Sequence, residues 1–372
     1  MTTTMTMKAA RIHQTGAPFQ VDEIAVPQPT GSDVLIAVKA CGLVPNLRNV
    51  INHFEEWFPY LPLPAHPAIY GLDPAGTVAA VGPDAAGLAI RQRVYVNPVR
   101  TCGVCVHCRR CQWTRCPAYT FAGYFGFGPP SREVQARYPW GGFAEYMIAP
   151  VNSLVTLPDS LSFENASRFG YLGTSYAALR RGLTSTTSTV LIDGATGTLG
   201  VGLVLCALAL GVPRILAVAR NRELLAKVKA LNAHRIETFS TLDGSTTEWA
   251  KGRTDGFGVD LVVEALGPEA PLSASLEAIY AIGRGGNIVT IGGQKEPVPI
   301  NPIWLMAQDL NYMGSNWFTT SQAQDMAELI RTGVLDLSSL TSRCFGLDAI
   351  DAAIDAAGHR VAGGFTNIVV AP

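Results

Sequence analysis

The sequence carries no excess of charge of either sign. Lysine and arginine total 28 against 29 aspartates and glutamates, a balance that leaves no basic footprint for nucleic acid and no polybasic patch for a membrane. Nor is there an apolar run long enough to cross a bilayer. The longest, residues 201–212, falls short of the roughly 20 residues a span requires and reads as a buried helix. The N-terminal segment MTTTMTMKAA lacks the charged and apolar regions of an export signal, so the expected compartment is the cytoplasm. Low-complexity tracts and fixed-period repeats are absent too, which excludes solenoids and arrays. What is plentiful is core-forming material: hydrophobic residues make up 48% and charged residues only 15%, the balance of a folded chain. At 372 residues, two domains are expected.

Two textures divide the chain. Up to about residue 150, short alternating segments such as 34–38, 76–81 and 93–96 are broken by Gly and Pro, the pattern of an irregular β-rich domain. From about Leu172 strands and helices alternate: strand 190–193, a glycine loop, a helix ending near Gly211, strand 214–219, the helical run ELLAKVKAL, then strands 260–264 and 287–291. Repeated β-α units specify an α/β fold, a parallel sheet with helices on both faces. Beyond Gly314 come two helical patterns, 322–332 and 347–356, and a strand, 366–370. That piece is too small for a domain and is expected to return to the first. The expected division is therefore 1–171, 172–314 and 315–372.

Between the apolar strand and the apolar helix lies Gly194-Ala195-Thr196-Gly197-Thr198-Leu199-Gly200. Glycines there let the backbone turn sharply and approach a pyrophosphate, whose charge the helix N-terminus stabilises. The spacing is GxxGxxG and not GxGxxG, and glycine-rich turns also occur for purely steric reasons. The strand–loop–helix context nonetheless favours a dinucleotide. At the end of the next strand, where an acid would hold a ribose 2′-hydroxyl, the sequence reads Val218-Ala219-Arg220-Asn221-Arg222. Small Ala219 leaves space and the two arginines suit a 2′-phosphate, so NADP is favoured over NAD. The competing account is that Arg220 and Arg222 only decorate the start of a solvent-facing helix.

Eight cysteines are present, five of them within residues 102–116. Cys102, Cys105, Cys108 and Cys116 have the spacing C-x2-C-x2-C-x7-C, which can close a tetrahedral thiolate shell around a structural zinc. An iron–sulfur run fits less well, because the Cys108–Cys111 spacing is wrong for it and no second cluster motif exists. Cys111 and His107 are spare donors or plain loop residues.

With these motifs in place the chain resembles the medium-chain, zinc-type alcohol dehydrogenase superfamily over essentially its full length. The carrying segments are Ala40-Cys41-Gly42, Asp73-Pro74-Ala75-Gly76-Thr77-Val78, the cysteine lobe (about 100–117), Gly141-Gly142-Phe143-Ala144-Glu145-Tyr146, Gly173-Thr174-Ser175-Tyr176 and the GATGTLG loop. The resemblance implies a GroES-like β-rich catalytic domain plus a Rossmann doubly wound domain, and hydride-transfer chemistry. It also implies homodimers joined through the Rossmann domains (or tetramers), and a cofactor site that includes Thr174. Where family members place the three ligands of a catalytic zinc, this chain has Val44, Leu72 and Gly170. None can coordinate a metal. The resemblance thus implies one structural zinc and no catalytic one.

Without that metal, a side chain must hydrogen-bond the reacting oxygen or the substrate must already be electrophilic. Candidates are Asn46, Asp73 and Tyr171. Asp73 is either an acid with a raised pKa or a structural carboxylate, Tyr171 is either catalytic or core, and Asn46 can orient an oxygen but not protonate it. Residues 53–60 (HFEEWFPY) correspond to a wall of the family's substrate cleft. Phe54, Trp57, Phe58 and Tyr60, with Trp317, would make it broad and apolar, although core packing competes for each. Residues 124–140 are long enough to form a lid. The leading expectation is an NADPH-preferring, zinc-independent oxidoreductase for a bulky apolar alcohol or carbonyl. A reductase of an activated C=C or C=N bond and a non-catalytic NADPH-binding protein stand as rivals.

Overall fold

A computed structural model describes residues 5–358 and 362–372. Residues 1–4, part of the N-terminal segment read above, and residues 359–361 lie outside that description. The chain forms two compact units: Met1–Gly170 with Thr341–Arg360 and Asn367–Pro372, and Tyr171–Leu340 with Val361–Thr366.

The first unit is β-rich, and its strand Asp33–Gly42 is central. That strand pairs antiparallel with Asp73–Val81, with Tyr146–Pro150 and, through its last residues, with Thr366–Val370. Its side chains alternate about a buried face that includes Val34, Ile36, Val38 and Ala40. A second sheet of three strands is built on Thr6–Ile12. A ribbon, Val99–Arg100 with Thr120–Phe121, closes the base of the cysteine lobe. Residues 124–140 are packed into this unit and do not form a free lid. They contain the helix Ser131–Arg137, Tyr138 donates to Asp33 at 2.9 Å, and Gln135 donates to the Pro62 carbonyl at 3.1 Å.

The second unit holds a parallel sheet of six strands, in the order Ile236–Ser240, Arg214–Ala219, Thr189–Asp193, Val259–Glu264, Ile282–Thr290, Asn311–Gly314. That order is doubly wound, and it reverses between the strands that begin at Thr189 and Val259, the crevice where open α/β sheets bind ligands. Leu191, Leu216, Val262 and Ile288 share its core. The helix Thr198–Ala209 is apolar all round, as a helix buried on every side must be. Gly202 lets it approach its neighbour, since a Cβ there would lie 2.9 Å from the Ser175 hydroxyl. The sixth strand and the helix Thr320–Arg331, which buries Ala323, Met326 and Ala327, stay with this unit. The return to the first unit therefore begins at Thr341, not at residue 315. No helix of the described residues is long and apolar enough to cross a membrane.

Candidate functional site

The glycine loop leaves the carboxyl end of the first parallel strand and enters the helix Thr198–Ala209. Gly194 has φ +78°, a left-handed turn that a side chain would strain. A Cβ on Gly200 would overlap the Gly194 carbonyl, so the helix can start this close to the strand only with glycine. The helix is capped by Gly197, which offers no side chain to its first-turn N–H groups. Those groups and the helix dipole can receive an anion. A turn the sequence reading missed also packs here: the Gly364 N–H donates to the Thr196 carbonyl at 2.8 Å, and a side chain on Gly364 would overlap Gly197. The Ser175 hydroxyl donates to the Leu199 carbonyl at 3.0 Å, and neighbouring Thr174 is buried.

Past the next strand, Ala219 is buried and Arg220 is exposed. Arg222 differs from expectation, because its guanidinium is already ion-paired with Asp243. Of the two arginines read as a phosphate clamp, Arg220 is the one that carries no such pair among the described residues. In the same unit Trp317 stacks on Phe318 with ring centroids 4.8 Å apart, and Phe318 fills the space a side chain on Gly173 would need.

In the first unit the sulfurs of Cys102, Cys105, Cys108 and Cys116 lie within 4.8 Å of one another. Three of the separations are 3.6, 3.6 and 3.9 Å. A tetrahedron with Zn–S bonds of about 2.3 Å has sulfur–sulfur edges of roughly 3.8 Å, so the four thiols fit a zinc shell. The Val104 N–H pulls the Cys102 thiol well below its ordinary pKa, toward the thiolate a metal needs. Cys111 and His107 stay outside this group. Among the described residues no other set of three or more His, Cys, Asp or Glu side chains converges in this way.

A buried polar cluster occupies another part of this unit. Asp73 opens the strand Asp73–Val81, opposite Gly42 in register. Its carboxylate accepts the Tyr95 hydroxyl at 2.7 Å and the Gly170 N–H, and Cys41 is buried beside it. Burial pushes the Asp73 carboxyl up to about 7, against the hydrogen bonds from Tyr95 and Gly170 that pull it down. Any side chain at position 170 would run into both carboxylate oxygens. Leu72 is buried and Val44 half-buried. Asn46 precedes the helix Leu47–Trp57, its side-chain oxygen accepting from Asn49 at 2.9 Å. Phe54 is buried against Phe58 and Phe125, whereas Trp57 and Tyr60 are 50% and 61% exposed. Tyr171 opens the second unit.

Sequence comparison converges with this geometry. The family pattern of the alcohol dehydrogenase GroES-like domain matches residues 30–159, and that of the zinc-binding dehydrogenases matches residues 198–332. An alcohol dehydrogenase of Geobacillus stearothermophilus is 30% identical over 330 residues, 88% of this chain and 90% of that one. The chain belongs to the medium-chain dehydrogenase/reductase superfamily. Among other relatives of this superfamily, the quinone oxidoreductase of Homo sapiens is 26% identical over 339 residues, 88% of this chain and 86% of its own. A zinc-binding dehydrogenase of Sinorhizobium meliloti 1021, solved bound to NADP, shares the fold with a TM-score of 0.82 at 23% identity, covering 99% of this chain and 100% of that one. The GroES-like and Rossmann architecture of the medium-chain dehydrogenases is thus the architecture described above, and the chain is an oxidoreductase of that kind.

Proposed function

We propose that the protein is an NADP(H)-dependent oxidoreductase that acts on a bulky apolar alcohol or carbonyl compound without a catalytic zinc. The observation that carries this reading is the union of Asp73 with Gly170. The carboxylate fills the space from which a third ligand would reach, while Val44 and Leu72 offer no donor atom. A medium-chain scaffold so altered polarises its substrate oxygen through protein hydrogen bonds, or takes a substrate that is already electrophilic.

When bound, the dinucleotide supplies or accepts the hydride. The protein's own part begins with the backbone of Gly194, Thr196, Gly197, Thr198, Leu199 and Gly200, which holds the pyrophosphate. Arg220 pairs with the 2′-phosphate beside Ala219, and Thr174 lines the same site. Arg222 orders the segment through Asp243 and contributes less than Arg220. Asn46 in the first unit and Tyr171 in the second are each proposed as a candidate to orient the substrate oxygen. Asp73 titrates near neutrality and can hold a proton, yet its burial and existing hydrogen bonds support a positioning role. Phe54 and Phe58 back the apolar surface that Trp57 and Tyr60 present in the first unit, and Trp317 is the substrate-lining residue proposed in the second. Cys102, Cys105, Cys108 and Cys116 hold the structural zinc.

Oxidation of NADPH with aromatic ketones, enones and cyclic imines tests the reading. Turnover of the ketones is expected, and Arg220→Ala should weaken NADPH about tenfold while leaving NADH nearly unchanged, a loss of about 1.4 kcal/mol. Equal effects on both cofactors would reject the 2′-phosphate role. The likeness to a quinone oxidoreductase favours a second reading, reduction of a conjugated, already electrophilic double bond; turnover of enones alone would select it. Tight NADPH binding with no turnover on any panel member would leave a binding protein.

The proposed homodimer rests on the exposed edge of the parallel sheet. Asn311–Gly314 is its last strand, and the preceding helix Pro302–Gln308 buries no side chain and exposes Ile303 (69%) and Met306 (75%). An unpaired edge flanked by exposed apolar side chains invites a second copy. Light scattering should give twice the chain mass, and Ile303→Asp with Met306→Lys should return the monomer; a monomeric parent protein sinks the idea.

A further inference from the structure

Two buried acids lie side by side beneath the dinucleotide loop. Asp193 ends the first parallel strand and Glu264 ends the adjacent one, and the two are register partners, so both side chains leave the same face of the sheet. Both are buried. Glu264 is fully engaged: one carboxylate oxygen accepts the Leu266 N–H at 2.8 Å and the other the Thr290 hydroxyl at 2.8 Å. Its backbone carbonyl accepts the N–H groups of Ile291 and Gly292. It thereby ties together the segments that follow two neighbouring strands, at the end of the sheet where ligands bind. Asp193 is different. The Gly194 N–H bonds its carboxylate, but its Oδ2 is buried with no hydrogen-bond partner among the described residues.

Two ionised carboxylates cannot sit together in so dry a place without strong repulsion. One must keep its proton. Glu264 receives two donors that favour its charged form, whereas half of the Asp193 carboxyl receives none. We propose that Asp193 is a neutral, proton-bearing acid at neutral pH and a positioning residue for the dinucleotide, limiting the buried charge below Gly194 to the single one on Glu264. A second buried negative charge one residue from the loop would oppose the pyrophosphate that the loop N–H groups attract. The effect on binding rests on the dinucleotide reading above; the proton does not.

The surroundings agree. Burial, and after it the charge of Glu264, raise the Asp193 carboxyl well above its ordinary range; burial raises Glu264 too, with Thr290 and Leu266 pulling it back. The adjacent strand Arg214–Ala219 sets apolar Val218 opposite Asp193, and the glycine loop has no titratable side chain. Tyr312, from the edge strand, faces Glu264 and raises no charge of its own at neutral pH.

Infrared difference spectra of the full-length, dinucleotide-free protein against Asp193→Asn test the proton directly. At neutral pH the parent should show the carbonyl stretch of one protonated carboxyl group that the variant lacks; its absence would overturn the proposal. In Glu264→Gln the same band should titrate away at lower pH than in the parent, because the neighbouring charge is gone. A band with unchanged pH dependence would overturn the pairing. NADPH affinity, followed by fluorescence, should fall about tenfold between neutral and alkaline pH in the parent and stay level in Asp193→Asn. Equal pH dependence in the two proteins would overturn the positioning role. If neither protein binds NADPH at any pH, the dinucleotide reading fails and takes the positioning role with it, and the infrared band still decides the proton.

Discussion

If the four cysteines hold zinc as proposed, replacing Cys108 by Ser should release it and unfold the cysteine lobe while leaving the parallel-sheet unit intact. The lobe has almost no core of its own. Val104 and Val106 are exposed, and between Cys102 and Cys116 the buried side chains are the ligands Cys108 and Cys116 themselves. Its helix Val106–Arg109 spans a single turn, far too little to persist without tertiary support. The ribbon Val99–Arg100 with Thr120–Phe121 fixes only its base. What holds the loop must therefore be the four sulfurs, whose spacing is that of zinc ligands and not of disulfides, which bond at about 2.05 Å. Shared among four ligands, the free energy typical of structural zinc gives about 3 kcal/mol per thiolate. Elemental analysis should find about one zinc per chain in the parent protein and little in the variant. Hydrogen exchange should quicken across residues 102–116 and not in the strand Thr189–Asp193. Two zinc ions per chain, with turnover lost on mild chelation, would instead sink the zinc-free mechanism.

Much of this was legible in the sequence because it rests on local pattern. The glycine loop, the apolar strand before it and the cysteine spacing each lie within a short stretch, and the structure places each where its pattern says. Two strands of the parallel sheet were not legible. Ile236–Ser240 buries only its first and last residues, and the edge strand Asn311–Gly314 buries none, so neither shows the apolar run of a central parallel strand. The return point slipped to Thr341 for the same reason: without the edge strand, the helix after it has no visible home in the second unit.

The polar cluster around Asp73 was hidden for another reason, since its members are far apart along the chain. Asp73 meets Tyr95 and Gly170, and nothing in the sequence between them marks the meeting. One signal was available. A tyrosine inside an apolar strand such as Arg93–Val96 needs a hydrogen-bond acceptor for its hydroxyl, and a nearby acid on the paired strand is the natural one. Arg222 shows the same limit, as its segment suggested a phosphate ligand and nothing in that segment pointed to the ion pair with distant Asp243. Asp193 was read simply as the end of a strand, although an acid closing an otherwise apolar parallel strand always raises the question of its proton.

The largest single-residue effect is expected at Gly170. Changing it to Ala should destabilise the protein by about 3 kcal/mol or more, because the new methyl group would overlap both oxygens of Asp73. Asp73 cannot swing aside cheaply. Its backbone is paired in register with Gly42, and its carboxylate is held at 2.7 Å by the buried Tyr95 hydroxyl. If the clash is with that carboxylate, shortening Asp73 to Gly should recover more than half of the loss in the double variant, although Asp73→Gly alone is also destabilising because it removes the hydrogen bond from the Tyr95 hydroxyl. Urea denaturation of the four proteins checks this, and strictly additive effects would disprove the contact. The pH dependence carries a second signature. The folded carboxyl titrates near 7 against about 3.8 for the free group, so the folded state binds the proton more tightly. The contribution of Asp73 to the parent's stability should fall as pH rises from about 4 through about 7 and then level off, with a slope of up to about 1.4 kcal/mol per pH unit, on top of the fall contributed by the raised Asp193 and Glu264 carboxyls. Asp73→Asn should show a fall shallower than the parent's over that range, by the Asp73 contribution. The same variant separates the two roles of the residue: a strong loss of turnover with stability preserved marks a proton donor, whereas unchanged turnover leaves Asp73 as the group that fills the place of a metal ligand. A side chain at 170 and the Asp73 carboxylate would compete for the same space whatever that side chain is, so the two positions act as one unit.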